Sequence, residues 1–310
     1  PSVFVAYAWQ YSDLTMGAAG LCCRVLHIES LRLLCATTRR SSCGPRQRLV
    51  ALRVRPACRV ASTASDSSRL TLLRAACTAR GVDALIVPAN DPHLAEYPPL
   101  SYHRRAWLTG FNGSAGFAAV TQDAAALWTD GRYTLQADLE LNPRDAWELH
   151  REGTHATNPT TLAQWLAQQA ERGCDGKADF IVGVDPSLHS HKELEQLKAD
   201  LADARQDGDG AKRIIVAPLQ APNLIDALWE DRPPLDTPQL RVHSVHAGKS
   251  IVQKLQELGV AIRSAGACAL VVSELDEVAY LCNVRCWGQI PNCPTSHAYV
   301  LVTCMGTASE

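Results

Sequence analysis

A helix-to-strand unit occurs twice in this chain at a constant spacing of 185 residues, and that repetition limits the possible folds more than any other feature. In the first copy, RLTLLRAACTARGVDALIVPANDPH, the apolar residues Leu70, Leu73, Ala76 and Cys77 recur at helical spacing. Gly81 follows, then the apolar run Ala84 to Val87, which is short enough for a buried strand. In the second copy, KLQELGVAIRSAGACALVVSELDEV, Leu255, Leu258, Gly266, Ala269, Leu270, Val271, Val272 and Asp276 match Leu70, Leu73, Gly81, Ala84, Leu85, Ile86, Val87 and Asp91. A glycine and an aspartate in register are harder to reach by chance than apolar matches alone. Two related domains, each headed by a helix and a strand, are therefore expected.

Between the copies, GFAAVTQDAAALWTDGRYTLQADLEL reads as strand, Gln-Asp turn, strand, Asp-Gly turn and helix. NPTTLAQWLAQQAERG reads as a helix with a threonine cap, followed by the strand FIVGVDP, the helix SLHSHKELEQLKADLADA and the strand RIIVAP. This alternation predicts an α/β class with mixed sheets flanked by helices. In APNLIDALWEDRPPLDTPQL a short helix precedes Pro233, Pro234 and Pro238, which exclude regular structure there and mark a linker. The expected division is a leader over 1–65, a first domain over 66–235, and a second, incomplete domain over 236–310.

The net charge of −2 conceals two opposite parts. Residues 1–65 hold nine arginines and no lysine against Asp13 and Glu29, a net +7, so the remaining 21 basic and 30 acidic side chains leave 66–310 at −9. A body this acidic does not favour nucleic acid as a partner. The Arg-, Ser- and Cys-rich leader has the composition of a disordered transit peptide for plastid or mitochondrion, or of sequence ahead of Met16, the first methionine. No apolar run reaches the roughly 18 residues that cross a bilayer, so no membrane span is expected. Five of the twelve cysteines fall in the leader and none forms a CxxC pair, which favours reduced thiols over a disulfide framework.

The candidate chemistry is sparse. Ser114 in FNGSAGF sits in a tight glycine turn, expected between strands, and not in the strand-turn-helix elbow of a nucleophilic serine. Cys286, Cys293, His297 and Cys304 match no compact zinc spacing. His189 and His191 are expected at the surface, and His243 and His246 on opposite faces of a strand. Arg132 is the remaining candidate. If Asp130 caps the helix that follows, Arg132 falls in its first turn, where a cation opposes the helix dipole by roughly 0.3–1 kcal/mol. Either an ion pair with an acid such as Asp130 offsets this, or the guanidinium points outward to a peptide carbonyl or carboxylate, which its planar fork suits.

The blocks IVPANDPHLAEYPPLSYHRRAWLTGFNGSAGF, LWTDGRYTLQADLEL, VGVDPSLHS, NLIDALWEDRPPLDTP, HAGKS and SELDEVAYLCNVR together resemble, in order, the amino-terminal half of the Xaa-Pro aminopeptidases, or aminopeptidase P. The resemblance runs from about residue 69 to about 303, and CPTSHAYVLVT is most similar to plant and green-algal members. It implies two related creatinase-type amino-terminal domains ahead of a catalytic domain that binds two metal ions, usually manganese. It also implies a homodimer, and as substrates peptides with proline at position two. The catalytic domain's ligand series does not occur here, so no catalytic residue and no metal site is expected in this chain, and no cleavage by it alone. A stand-alone dimerisation or peptide-binding module is the alternative. The family's arginine in the DGRY block contributes to peptide binding. That position is Arg132, and the resemblance turns its reading from structural to functional, with Asp130 and Tyr133 as supports. Arg104 and Arg105 match a family arginine pair for which only a part in shaping the cleft or interface is implied. After Arg285 the chain departs from the family, with Cys286, Trp287 and Gly288 where a Gly, a Ser or Thr, and an Asp are usual.

Overall fold

A computed structural model of the chain describes residues 3–8, 66–152, 160–173, 178–204, 212–236, 239–243 and 245–304. They fall into two compact units. The first comprises 62–240 with 286–296, and the second 241–285 and 297–310 together with the amino-terminal segment.

The first unit is built on a six-stranded mixed sheet. Helix α1 (Asp66–Ala79) leads into β2 (Ala84–Pro88), and α2 (Arg104–Thr109) precedes the hairpin of β3 (Phe117–Thr121) and β4 (Ala125–Asp130). Helix α3 (Thr134–Glu140), β5 (Glu148–Glu152), α4 (Leu162–Arg172), β6 (Asp179–Val184), α5 (His191–Ala204), β7 (Arg213–Pro218) and α6 (Leu224–Leu228) complete it. The strand order is β5-β4-β3-β2-β6-β7. The β2–β3 and β3–β4 pairs are antiparallel, and β4–β5, β2–β6 and β6–β7 are parallel. The hairpin turns at Gln122-Asp123, as expected, and the residues from Trp229 to Leu240 that are described form no helix or strand.

Side-chain alternation divides the core between the two faces of this sheet. Leu85, Val87, Val120 and Leu127 pack against Leu70, Leu73 and Cys77 of α1, Trp107 and Leu108 of α2, and Ile225 of α6. Ala84, Ile86, Ala119, Ala126 and Trp128 pack on the other face against Ala163, Trp165 and Leu166 of α4 and Leu201 of α5. Because both faces are covered, β2 is buried at every position and reads as an unbroken apolar run. Thr161 starts α4 with a capping box: its hydroxyl accepts from Gln164 N–H at 3.2 Å, and Gln164 Oε1 accepts from Thr161 N–H at 3.0 Å.

The second unit contains β8 (Arg241–Val242), α7 (Ile251–Ser264), β9 (Ala269–Val272), α8 (Leu275–Leu281), β10 (Val284–Arg285) and β11 (Tyr299–Cys304). Its three-stranded sheet has the order β1-β11-β9, where β1 is Val3–Ala8. That strand is the one described part of 1–65, and it departs from the expectation of a leader without regular structure. Its sequence, VFVAYA, is rich in strand-forming residues, and β11 offers it a free edge. The rest of the leader lies outside the described residues.

The repeat seen in the sequence is also a repeat of hydrogen bonds. Gly81 has φ +66° and Gly266 φ +70°. In both copies the chain leaves its helix by the same six-to-one closure, Val82 N–H to Cys77 O at 2.9 Å and Ala267 N–H to Ile262 O at 3.0 Å. A Cβ added at either glycine would meet nothing within 4 Å, so the requirement is for left-handed backbone and not for space. The correspondence does not extend to the aspartates. Asp91 is fully buried, and its carboxylate accepts from His93 N–H at 2.9 Å and Ala95 N–H at 3.0 Å. Asp276 is exposed in the first turn of α8. The first copy runs into a long loop after its strand, while the second enters a helix almost at once.

Candidate functional site

The stretch WTDGRY carries β4 into a turn and then into α3. Helix α3 begins at Thr134, with Tyr133 in the cap position and no side chain capping it. This corrects the expectation that Asp130 caps the helix and places Arg132 in its first turn. The Asp130 carboxylate closes its own turn by accepting from Arg132 N–H at 2.9 Å, so Arg132 stands ahead of the helix.

The guanidinium folds back on the same carboxylate. Its Nε lies 3.1 Å from each Asp130 oxygen and its Nη2 2.7 Å from Oδ2. The ion pair holds the Asp130 carboxyl below its ordinary range and pushes Arg132 up. Both readings of Arg132 therefore meet in one geometry. One edge of the fork, Nε and Nη2, is taken by Asp130, while 73% of the side chain stays exposed.

Aromatic groups fix the plane in which that free edge lies. Arg132 Cζ sits 5.2 Å from the Tyr133 ring centroid. The Tyr133 hydroxyl is 2.7 Å from Ser114 Oγ, and its ring meets Phe111 edge-on at 6.3 Å. Tyr97 is close enough for Arg132 to pull its pKa down, against the larger upward effect of its hydrogen bond to Glu96. Glu96, Tyr97, Ser114, Arg132 and Tyr133 thus form one polar, aromatic surface patch.

Beneath it lies a residue whose part the sequence does not disclose. Arg105 is 4% exposed, donates through Nη1 to Gly116 O at 2.7 Å and through Nη2 to Gly113 O, and stacks 4.8 Å over Phe111. Burial lowers its pKa to about 10, so it stays charged at neutral pH. Arg105 pins both ends of the Gly113–Gly116 turn, which carries Ser114. Arg104 also turns inward, pairing with Asp226 through Nε at 2.7 Å and Nη2 at 2.8 Å. Arg232 joins the same carboxylate at 2.8 Å. The arginine pair braces the first unit from inside.

The remaining candidates separate. The Ser114 loop lies between α2 and β3, not between strands, and the one side-chain bond of Ser114 among the described residues is to Tyr133. Among those residues no base is placed to activate it. His191 is exposed as expected, but His189 is half-buried with its Nε2 covered, and burial lowers its pKa. His243 and His246 do not diverge. Their rings lie 5.4 Å apart, and β8 ends at Val242, so strand alternation does not extend to them. Cys286 is buried, Cys293 Sγ lies 3.1 Å from Thr295 Oγ1, and the Cys304 side chain is outside the described residues. Among the described residues no group of three or more His, Cys, Asp or Glu could hold a metal ion, so they do not fit a dinuclear centre. No helix among them is long and apolar enough to cross a membrane.

Comparison with known proteins matches two segments, 69–212 and 231–309, each to a creatinase/prolidase N-terminal domain. Aminopeptidase P2 of Arabidopsis thaliana is 39% identical over 224 residues, 72% of this chain and 29% of the relative. A probable Xaa-Pro aminopeptidase P of Sordaria macrospora is 37% identical over 243 residues, 78% of this chain and 36% of the relative. An X-prolyl aminopeptidase of Caenorhabditis elegans, a cytosolic enzyme with a di-nuclear active site, superposes with a TM-score of 0.64 at 27% identity, covering 77% of this chain and 37% of that one. The chain spans about a third of the length of the curated relatives it matches.

Proposed function

Because this chain belongs to the creatinase/prolidase amino-terminal family and matches the amino-terminal region of aminopeptidase P, we propose that it forms one wall of the substrate cleft of an Xaa-Pro aminopeptidase. In this reading the whole protein removes the residue ahead of a proline at position two. The metal ions, proposed to be manganese, are held by the part of the protein that corresponds to the unmatched two-thirds of its relatives. The assembly is a homodimer, and the basic leader directs it to plastid or mitochondrion.

The observation that carries the reading is the posture of Arg132. Its Nε and Nη2 are paired with Asp130, its Cζ lies over the Tyr133 ring, and 73% of the side chain is exposed. A guanidinium already paired with a carboxylate has little net charge left to reward a second anion. It still has directed N–H groups, which suit a neutral peptide carbonyl. Arg132 therefore orients the backbone of a bound peptide and takes no part in bond cleavage. Tyr97 and Tyr133 flank the same path.

The test is a chimaera joining residues 69–304 to the remaining length of Arabidopsis aminopeptidase P2. An active chimaera in which Arg132→Ala weakens peptide use supports the proposal. An active chimaera indifferent to Arg132→Ala removes Arg132 from the cleft.

A further inference from the structure

Asn112 precedes Gly113, and this is the one Asn-Gly pair in the 310-residue sequence. Each of the other six asparagines is followed by a residue with a side chain, twice by proline. A glycine in that position lets its own backbone nitrogen approach the asparagine's side-chain carbonyl carbon, because no Cβ obstructs the approach. Turns favour such a pair on conformational grounds, but here packing fixes it. Gly113 is buried, and a Cβ added to it would run into the Phe111 ring and press on Tyr133. The fold therefore demands the residue that leaves Asn112 labile.

Both reacting groups are unengaged. Asn112 is exposed, and among the described residues neither its side-chain amide nor Gly113 N–H makes a hydrogen bond. Other asparagine amides are tied down at both ends. Asn223 Oδ1 accepts from Ile225 N–H at 3.0 Å while its Nδ2 donates to Asp185 at 2.7 Å. Asn283 Oδ1 accepts from Lys254 Nζ at 2.5 Å while its Nδ2 donates to Lys249 O at 3.0 Å. What restrains the Asn112–Gly113 pair is the rest of its loop. Arg105 donates to Gly113 O and Gly116 O, and the Glu140 carboxylate accepts from Asn112 N–H at 2.8 Å. Cyclisation requires both residues to rotate until Gly113 N faces Asn112 Cγ, and both holds oppose that rotation. The Glu140 charge also disfavours the amide anion that must form at Gly113.

We propose that Asn112 is a deamidation site, built into the loop by the packing of Gly113 and timed by the grip of Arg105 and Glu140. Gly113 N gives its proton to hydroxide and attacks Asn112 Cγ. The N–Cγ bond forms, the bond from Cγ to the side-chain nitrogen breaks, and that nitrogen takes up a proton and leaves as ammonia. Water then opens the cyclic imide at either carbonyl carbon, giving aspartate or isoaspartate. The sum exchanges an amide and a water for a carboxylate and an ammonium ion, with nothing oxidised or reduced. Either product puts a negative charge on the residue whose N–H bonds Glu140, and isoaspartate also lengthens the backbone of a turn that Arg105 pins at both ends. The displacement passes to Ser114, whose Oγ lies 2.7 Å from the Tyr133 hydroxyl, and from there to the ring beside Arg132. Deamidation thus alters the platform of the candidate site, whether or not that site binds peptide.

Peptide mapping by mass spectrometry of the purified chain, held in mildly alkaline buffer, follows the exchange of amide for acid at each asparagine, and an isoaspartyl-specific methyltransferase labels the rearranged product. Asn112 is expected to convert ahead of the other asparagines, at a rate that rises with pH. Arg105→Met should convert about fivefold faster or more, the kinetic form of a loss of about 1 kcal/mol of local stability. Glu140→Ala, outside both core clusters of the first unit, should also convert faster. If Arg105→Met loses the native tryptophan fluorescence, Glu140→Ala alone decides. Equal rates in the chain and in every variant that folds overturn the proposal. Conversion of Asn112 no faster than that of the other asparagines overturns it as well.

Discussion

Replacing Arg105 by methionine removes the brace under the candidate site while keeping most of the side chain's apolar bulk. In the structure Arg105 is 4% exposed and donates to the carbonyls of Gly113 and Gly116, the latter at 2.7 Å. Each bond to a charged donor contributes about 1.5–3 kcal/mol, and each carbonyl left buried and unpartnered loses about 1–3 kcal/mol. The stacking on Phe111 at 4.8 Å adds about 0.5–2 kcal/mol. Against these stands the release of a buried charge, worth several kcal/mol to the variant. The lost bonds outweigh this release, and a net destabilisation above about 1 kcal/mol is expected. The assay is urea denaturation of the first unit by tryptophan fluorescence, since Trp128 and Trp165 are each 1% exposed in its core. The midpoint should fall with the slope unchanged. A loss below about 1 kcal/mol would refute the view that Arg105 holds the Gly113–Gly116 turn against the sheet.

Gly81→Ala and Gly266→Ala should each destabilise their own unit by about 1–2 kcal/mol, because both helices close through left-handed glycine. Equal losses measured by separate unfolding transitions would support their equivalence, and a neutral result at either site would break it. Lys254 is 5% exposed, donates to Tyr280 O at 2.7 Å and Asn283 Oδ1 at 2.5 Å, and burial lowers its pKa. Between that lowered value and the unfolded value near 10.5, the unfolded chain holds the proton that the folded chain has released. Stability of the second unit should therefore rise with pH through this window, and urea melts of Lys254→Met should lose that rise. Under the proposed function, the purified chain supplied with manganese should not release the first residue of an Arg-Pro-Pro peptide in a chromatographic assay; turnover would place the chemistry in the chain itself.

The elements carried by local signals were legible in the sequence. Apolar spacing places α1, α7, β2 and β9, the Thr161 cap opens α4, and Gln122-Asp123 turns the hairpin. The features that escaped depend on contacts distant in sequence or on the competition for one carboxylate. Asp130 could serve the helix, its own turn or Arg132, and only the folded geometry shows that it serves the last two. The inward course of Arg104 and Arg105 was not legible, since nothing local announces the carbonyls and the Asp226 carboxylate that receive them. Asp91 and Asp276 looked equivalent because register alone does not distinguish a strand that ends in a loop from one that runs into a helix. The Arg132 patch was legible only in part. Tyr133 stands next to it, whereas Ser114, Tyr97 and Glu96 arrive from other loops.

The central claim, that Arg132 presents a peptide-facing edge held by Asp130 and Tyr133, is tested most directly in the chimaera with Arabidopsis aminopeptidase P2. For Arg132→Ala the measurement is kcat/KM on a peptide with proline at position two, alongside the melting temperature. Loss of one charge-assisted hydrogen bond of about 1.5–3 kcal/mol predicts a fall in kcat/KM of roughly 10- to 150-fold. The melting temperature should stay nearly unchanged, since the Asp130 pair is solvent-exposed. A lowered melting temperature with kcat/KM intact would contradict the account and return Arg132 to a purely structural part in its turn.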